Sequence, residues 1–308
     1  MLSQEKLLRD GKLHIFLVGS GGPFNNEKRV ASSIAVIANG EFILFDVGPG
    51  TYRNVDLLRL PVARLGCIFL THFHSDHIGD LGEVNILSWV SGRSKPLEIY
   101  GPKGVDKVVS GFKMAYEFDT EYRIAHHGEE IVPREAGIPI SNSITIQDPH
   151  EMELCFDRNG VKIYAFEVDH SPVNPAFGYR IEYEGLIVVI TGDTIKTDNL
   201  VKHCKNADIL FSEAISFDLL NNMVTLVEKL NPRVAKILTD IQNYHMDPVS
   251  AAKLANEARV KKLVFIHITP PLLNKNVETI YLKGVSDVFE GEVILGEDRM
   301  KFSLEPKL

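Results

Sequence analysis

The feature that most constrains this chain is the segment Thr71-His72-Phe73-His74-Ser75-Asp76-His77, in the order Thr-His-x-His-x-Asp-His. It follows the apolar run Cys67-Ile68-Phe69-Leu70, which predicts a buried strand ending where the polar residues begin. Imidazole and carboxylate groups are the ligands of zinc and similar divalent ions. Residues two apart in an extended segment face the same way, so His72 and His74 can bind one ion together. Asp76 and His77 come after the chain has turned and can reach a second ion. The alternative, a polar loop, would need four metal-binding side chains to coincide at this spacing.

Three further candidate ligands each stand at the end of an apolar, strand-like run far down the chain. They are His170 after Lys162–Val168, Asp193 after Leu186–Ile190, and His267 after Leu263–Ile266. A single histidine in such a place is more often structural. Strand ends on one edge of a sheet can converge on a site, however, so the recurrence predicts that these residues meet the first segment.

The motif and the later residues resemble the metallo-β-lactamase superfamily. The resemblance implies an α/β fold, a four-layer αββα sandwich, with two divalent metal ions about 3.5–4 Å apart. It assigns one ion to His72, His74 and His170, the other to Asp76, His77 and His267, and a bridging position to Asp193. Zinc is the first expectation for a histidine-rich site, and manganese or iron could occupy the same ligands.

Within the superfamily the chain resembles the ribonuclease Z and arylsulfatase-like branch. Three segments carry this resemblance: Phe45-Asp46-Val47-Gly48, Phe177-Gly178-Tyr179-Arg180 and His245-Met246-Asp247-Pro248. The branch implies a carboxylate–histidine pair, here Glu213 and His245, so the expected catalytic residues are His245, Glu213 and Asp76. A carboxylate that fixes the tautomer of an imidazole prepares it to donate a proton to a leaving group.

Two other branches fit less well. A class B β-lactamase would be expected to have a cysteine at the position of Asp193, and a flavodiiron protein a glutamate at the position of His74. The chain has neither residue, which disfavours both activities.

The expected substrate is a phosphodiester or sulfate ester of modest size. The formal net charge is −8, whereas enzymes that act on nucleic acid usually carry a basic patch. Only 23 positions separate His170 from Asp193, which leaves no room for the long arm of many tRNA-processing relatives, and Ser212 stands where they have histidine. A tRNA 3′-processing endoribonuclease is the alternative function, with nucleic acid disfavoured as a partner. A lactone or thioester hydrolase and a non-catalytic metal-binding protein are favoured less.

We expect one domain over residues 1–308, with an inserted region at about 112–139 that lies over the metal cleft. The three cysteines are too few and scattered for a disulfide framework, and the first residues show no secretion signal, so a cytoplasmic location is the default. No apolar stretch approaches the roughly 18 residues of a membrane helix. Trp89 and its apolar neighbours are most simply core residues, although the resemblance makes a homodimer through this helix an option.

Overall fold

A computed structural model describes residues 4–307, so the expectation about the first residues of the chain falls partly outside it. The described residues form fourteen strands. They are β1 Leu13–Gly19, β2 Ser33–Ala38, β3 Glu41–Phe45, β4 Leu65–Phe69, β5 Glu98–Gly101, β6 Ile140–Ser143, β7 Met152–Arg158, β8 Val161–His170, β9 Val173–Tyr183, β10 Leu186–Ile190, β11 Ile209–Ile215, β12 Lys262–Thr269, β13 Glu292–Leu295 and β14 Lys301–Leu304.

Twelve α-helices connect or flank these strands within the described range. They are α1 Gln4–Arg9, α2 Thr51–Leu57, α3 Ser75–Ile78, α4 Leu81–Val90, α5 Val105–Ala115, α6 Glu117–His127, α7 Arg134–Gly137, α8 Asp198–Cys204, α9 Phe217–Val227, α10 Pro232–Asp240, α11 Pro248–Glu257 and α12 Lys275–Tyr281. Short 3₁₀ turns lie at Val62–Arg64 and Ile241–Asn243. None of the helices in residues 4–307 has the length and apolar character needed to cross a bilayer.

The strands form two seven-stranded sheets, in the orders β14-β1-β2-β3-β4-β5-β6 and β13-β12-β11-β10-β9-β8-β7. Side chains alternate between the faces of a strand, and both faces are covered. In β1, Leu13, Ile15 and Leu17 pack against the other sheet, whereas Phe16 and Val18 pack against helices. Further helices cover the outer face of the second sheet. The predicted four-layer αββα sandwich is therefore confirmed.

The direction of the strands brings several strand ends to one edge. In the first sheet β3, β4, β5 and β6 are parallel, and in the second β10, β11, β12 and β13 are parallel. β8 is antiparallel to β9, as is β10, so β8 ends at the same edge as β10. The two sheets touch at this edge, where the amide of Phe177 donates to the carbonyl of Thr71 at 2.9 Å.

The inserted region at 112–139 contains the end of α5 and all of α6 and α7, and it packs beside α4. The indole of Trp89 donates to the carbonyl of Pro133 at 2.9 Å, and Asn85 donates to the carbonyl of Gly137. The buried Arg93 donates to the carbonyl of Ala136. These contacts attach the region to the outer helical layer, and its extension over the cleft stays a prediction. We propose that the whole chain forms one domain.

Candidate metal centre and active site

A buried carboxylate, Asp46, anchors the segment that contains the predicted ligands. Its carboxylate accepts hydrogen bonds from the amide and hydroxyl of Thr71, at 2.8 and 2.9 Å, and from His77 Nδ1 at 2.8 Å. Asp46 follows β3, which pairs in parallel with β4, so the two strand ends lie side by side. The loop after β3 also needs glycine, because a Cβ at Gly48 would lie 2.1 Å from the carbonyl oxygen of Asp76. Asp46 was not among the predicted site residues, although it lies in a segment that carried the resemblance.

The first group of candidate ligands contains His72, His74, His170 and Asp193, whose ligand atoms all lie within 4.8 Å of one another. His72 Nε2 is 2.9 Å from His74 Nδ1, and His170 Nε2 is 3.4 Å from the same atom. Asp193 Oδ2 lies 3.8 Å from His72 Nε2 and 3.9 Å from His170 Nε2. Three imidazole nitrogens and one carboxylate therefore face a common point.

The second group contains Asp76, His77 and His267, and it shares Asp193 with the first. His267 Nε2 lies 3.2 Å from Asp76 Oδ2, and His77 Nε2 lies 3.5 Å from the same oxygen. Asp193 Oδ2 is 3.3 Å from both His77 Nε2 and His267 Nε2. One carboxylate oxygen thus lies between the two groups. The structure brings all seven predicted ligands together, and their binding of metal stays a prediction.

The chemistry of this cluster fits divalent cations. His77 Nε2 is buried and has no hydrogen-bond partner among the described residues, although a carboxylate oxygen lies on each side of it. Buried polar atoms are normally satisfied, so such an atom needs an explanation. The other nitrogen of several of these rings is fixed from behind: His170 Nδ1 donates to the carbonyl of Tyr244 at 2.9 Å, and His77 Nδ1 is held by Asp46. Such partners orient the ligands of metal sites.

The electrostatics of the cluster also favour a cation. Burial lowers the pKa of His77, but Asp193 and Asp46 together raise it by more, so it lies well above its ordinary value. For His267, burial is likewise outweighed by Asp193 and Asp76, which raise the pKa to about 9. Burial raises the pKa of Asp76, whereas His267 and His77 lower it to about 2. The carboxylates therefore hold protons on these imidazoles near neutral pH.

We predict that metal binding releases protons at pH 7. An ion must displace the protons held on His77 and His267, so affinity should rise as the pH increases towards about 9, the pKa of His267. Titrating metal-free protein with Zn²⁺ by calorimetry, in buffers of different ionisation enthalpy, measures the number released. The exposed His126→Gln should give the same number as the unchanged protein. An equal heat in all buffers would contradict the prediction.

The predicted carboxylate–histidine pair lies beside the cluster. Glu213 Oε1 accepts hydrogen bonds from His245 Nδ1 at 3.0 Å, from the amide of Thr194 at 3.1 Å and from the amide of Met246 at 3.2 Å. Glu213 is fully buried and lies on β11. Because Nδ1 of His245 is hydrogen-bonded to Glu213, Nε2 is the ring nitrogen that remains available to a substrate. A ligand atom of His245 also lies within 4.8 Å of those of Asp193 and His267, so the pair is next to both metal groups.

Several known proteins resemble this chain. A family profile described as "Beta-lactamase superfamily domain" matches residues 41–268. A protein from Mycobacterium bovis (strain BCG / Pasteur 1173P2) called ribonuclease Z is 34% identical over 300 residues, which is 96% of this chain and 99% of that protein.

Solved structures share the fold. The short form of human tRNase Z is 25% identical, with a TM-score of 0.65 over 94% of this chain and 99% of that one. The metallo-β-lactamase fold protein YhfI from Bacillus subtilis has a TM-score of 0.67 at 19% identity and covers 95% of this chain and 99% of its own.

The fold and the cluster of candidate ligands are those of a metal-dependent hydrolase that acts on ester bonds. The chain belongs to the metallo-β-lactamase superfamily, in the branch that contains the ribonuclease Z proteins. The resemblance inferred from the sequence is thereby confirmed.

Proposed function

We propose that this protein is an endoribonuclease that cleaves the 3′ trailer from tRNA precursors. The observation that carries the proposal is the identity of 34% to a ribonuclease Z over nearly the whole of both chains. The sequence alone favours hydrolysis of a small ester over this activity and disfavours nucleic acid as a partner. The relatives favour the alternative.

The proposed roles follow from the two groups of ligands. His72, His74 and His170 would hold one divalent ion, Asp76, His77 and His267 a second, and Asp193 would contact both, with zinc as the first choice and manganese or iron as alternatives. When bound, such ions activate water and offset the negative charge of a phosphate. His245, oriented through Nδ1 by Glu213, donates a proton from Nε2 to the departing oxygen.

A polar cavity near the candidate ligands is lined by side chains of both charges, and its exposed cations offer contacts for an RNA substrate. Four basic side chains line this cavity of about 370 Å³: Lys28, Arg29, Arg53 and Arg299, and we call it the basic cavity. In the part of the chain that the structure describes, none of the four forms an ion pair. Four acidic side chains also line it: Glu27, Glu278, Glu297 and Asp298. Glu278 is paired with Lys275, and Asp298 accepts hydrogen bonds from Ser20, Val30 and Asn54, whereas the exposed cations have no ion-pair partner in the described part of the chain.

A glycine loop connects the basic cavity with the cluster of candidate metal ligands. A Cβ on Gly22 would lie 2.9 Å from Cε1 of His267, and one on Gly21 would lie 3.1 Å from Cβ of Arg29. Arg29 is buried, and its Nε donates to the carbonyl of Gly296. The same loop therefore borders both places, and we propose that the exposed cations contact phosphates of a bound RNA strand.

The test of the proposed function is cleavage of a precursor tRNA, compared with an aryl sulfate and bis-p-nitrophenyl phosphate. We expect cleavage at the 3′ trailer, with kcat/KM falling steeply as salt rises, because phosphate contacts release counterions. Replacing Lys28, Arg53 and Arg299 together with glutamine should reduce the log–log salt slope by roughly one for each phosphate contact removed. Arg29 is left unchanged because it is buried.

The matched control removes three positive charges at the opposite edge of the sheets, through Lys95→Gln, Lys205→Gln and Arg259→Gln. These residues are exposed and precede the parallel strands β5, β11 and β12. The control should keep the salt slope of the unchanged protein. Rapid turnover of a small ester with an intact precursor tRNA would contradict the proposed function. An unchanged salt slope in the first triple variant would show that the basic cavity does not contact the phosphates of the RNA.

A further inference from the structure

Tyr244 lies beside both His245 and the candidate metal ligand His170, and its side chain has no role in the proposed mechanism. Its ring centroid is 5.2 Å from that of His170, at an interplanar angle of 80°, and 5.0 Å from that of His245, at 47°. The side chain is half-buried, whereas His170 and His245 are buried. One part of this aromatic ring therefore borders the histidines, and another part remains open to solvent.

Both backbone polar groups of Tyr244 form hydrogen bonds, which fix the position of the residue. Its carbonyl accepts the hydrogen bond from His170 Nδ1 at 2.9 Å, and its amide closes the 3₁₀ turn by donating to the carbonyl of Ile241. Ile241 in turn packs against an apolar cluster that includes Leu220 of α9 and Leu238 of α10. Among residues 4–307, no hydrogen bond is found for the Tyr244 hydroxyl. The ring is thus held in place without a polar contact of its own.

We propose that Tyr244 is a substrate-positioning residue whose ring stacks on a base of the RNA strand beside the scissile phosphate. The inference rests on the proposed function for the identity of the substrate. Single-stranded RNA is bound largely by aromatic side chains on which unstacked bases lie, and every base offers a flat face to such a ring. A strand whose scissile phosphate lies between the candidate metal ligands and His245 would bring a neighbouring nucleotide within reach of the ring that borders His245.

A purely structural role must be distinguished from stacking, because the ring also packs against His170 and His245. The carbonyl that holds His170 belongs to the backbone and is kept in every variant. If the ring only supports the two histidines, its loss should lower turnover of every substrate and reduce metal content. If it binds a base, only substrates that carry a base should be affected.

The experiment compares two esters that share a p-nitrophenolate leaving group, p-nitrophenyl thymidine 5′-phosphate and methyl p-nitrophenyl phosphate. The first carries a base, and the second carries no ring apart from the leaving group. We expect Tyr244→Leu and Tyr244→Gln to lower kcat/KM for the thymidine ester and for precursor tRNA by roughly 5- to 150-fold, the range for loss of one stacked base. Metal content and turnover of the methyl ester should stay unchanged.

Tyr244→Phe and Tyr244→Trp keep an aromatic face and should behave like the unchanged protein. Tyr122→Leu removes an exposed tyrosine on α6 and serves as the control. Binding of a fluorescein-labelled single-stranded RNA, followed by anisotropy, should weaken in the Leu and Gln variants by a similar factor. Equal losses on both esters, a loss of metal, or full activity of Tyr244→Leu on the thymidine ester would overturn the inference.

The two proposals can fail separately. If precursor tRNA stays intact while the preference for the thymidine ester over the methyl ester depends on Tyr244, the stacking role stands and the tRNA substrate is wrong. If precursor tRNA is cleaved equally well by the unchanged protein and by Tyr244→Leu, the tRNA substrate stands and the stacking role is wrong.

Discussion

Replacing Asp193 with alanine is expected to remove tightly bound metal and to lower phosphodiesterase activity by roughly 10⁴-fold or more, because it removes a group on which most of the rate enhancement depends. Asp193 Oδ2 lies 3.3 to 3.9 Å from four imidazole nitrogens that belong to both ligand groups. Loss of this one carboxylate therefore weakens both sites, whereas loss of a histidine such as His74 weakens one. Metal analysis after reconstitution and gel filtration measures the first effect, and turnover of bis-p-nitrophenyl phosphate the second.

Asp198→Ala is the matched control, since this aspartate is exposed, lies five positions further along the chain and belongs to neither ligand group. It should keep the metal content and the turnover of the unchanged protein. Circular dichroism should establish that Asp193→Ala is folded. A folded Asp193→Ala protein that still holds two equivalents of metal would show that Asp193 is not shared between the ions.

The second large effect is expected for His245→Ala, which should lower turnover of precursor tRNA by roughly 10²–10⁴-fold, the usual range for general acid catalysis. His245 is held through Nδ1 by the buried Glu213, so its Nε2 is the nitrogen that can donate a proton. The loss should shrink for p-nitrophenyl esters, because p-nitrophenolate leaves without protonation. Glu213→Gln should have a milder effect of the same kind, since the imidazole remains.

Metal analysis decides between two roles for His245. Its ligand atom lies within 4.8 Å of those of Asp193 and His267, so a role as a metal ligand is the structural alternative. A proton donor can be lost with the metal content unchanged. If His245→Ala instead loses metal, or affects good and poor leaving groups equally, the assignment as proton donor is wrong.

The sequence predicted those parts of the site that depend on local order. The metal motif follows β4, as expected from the apolar run before it. β10 ends at Ile190, which is also the last residue of the apolar run Leu186–Ile190. Continuous apolar runs identify such strands because both of their faces are buried. The strands β6 and β7 lie at sheet edges and have exposed positions, so no comparable run identifies them.

Other parts depend on contacts that no local pattern reveals. Asp46 acquires its role through the pairing of β3 with β4, and Tyr244 through the fold of the long connection between Glu213 and His245. The basic side chains of the cavity come from three separate stretches of chain, around 28, 53 and 299, so no run of basic residues predicts it. A net charge of −8 is a sum over the whole surface and does not report how charge is distributed.

The ligands come from both sheets, and this division has a consequence for folding. The first sheet supplies His72, His74, Asp76 and His77, and the second supplies His170, Asp193 and His267. A complete ligand set exists only after the two sheets have packed together. Ions that bind this set would therefore link the two sheets and stabilise their packing. By mass action, a ligand present at 1,000 times its Kd stabilises the native state by about 4 kcal/mol. Metal availability would therefore affect the stability of the folded sandwich. A chain whose two sheets are misaligned would not gain this stabilisation.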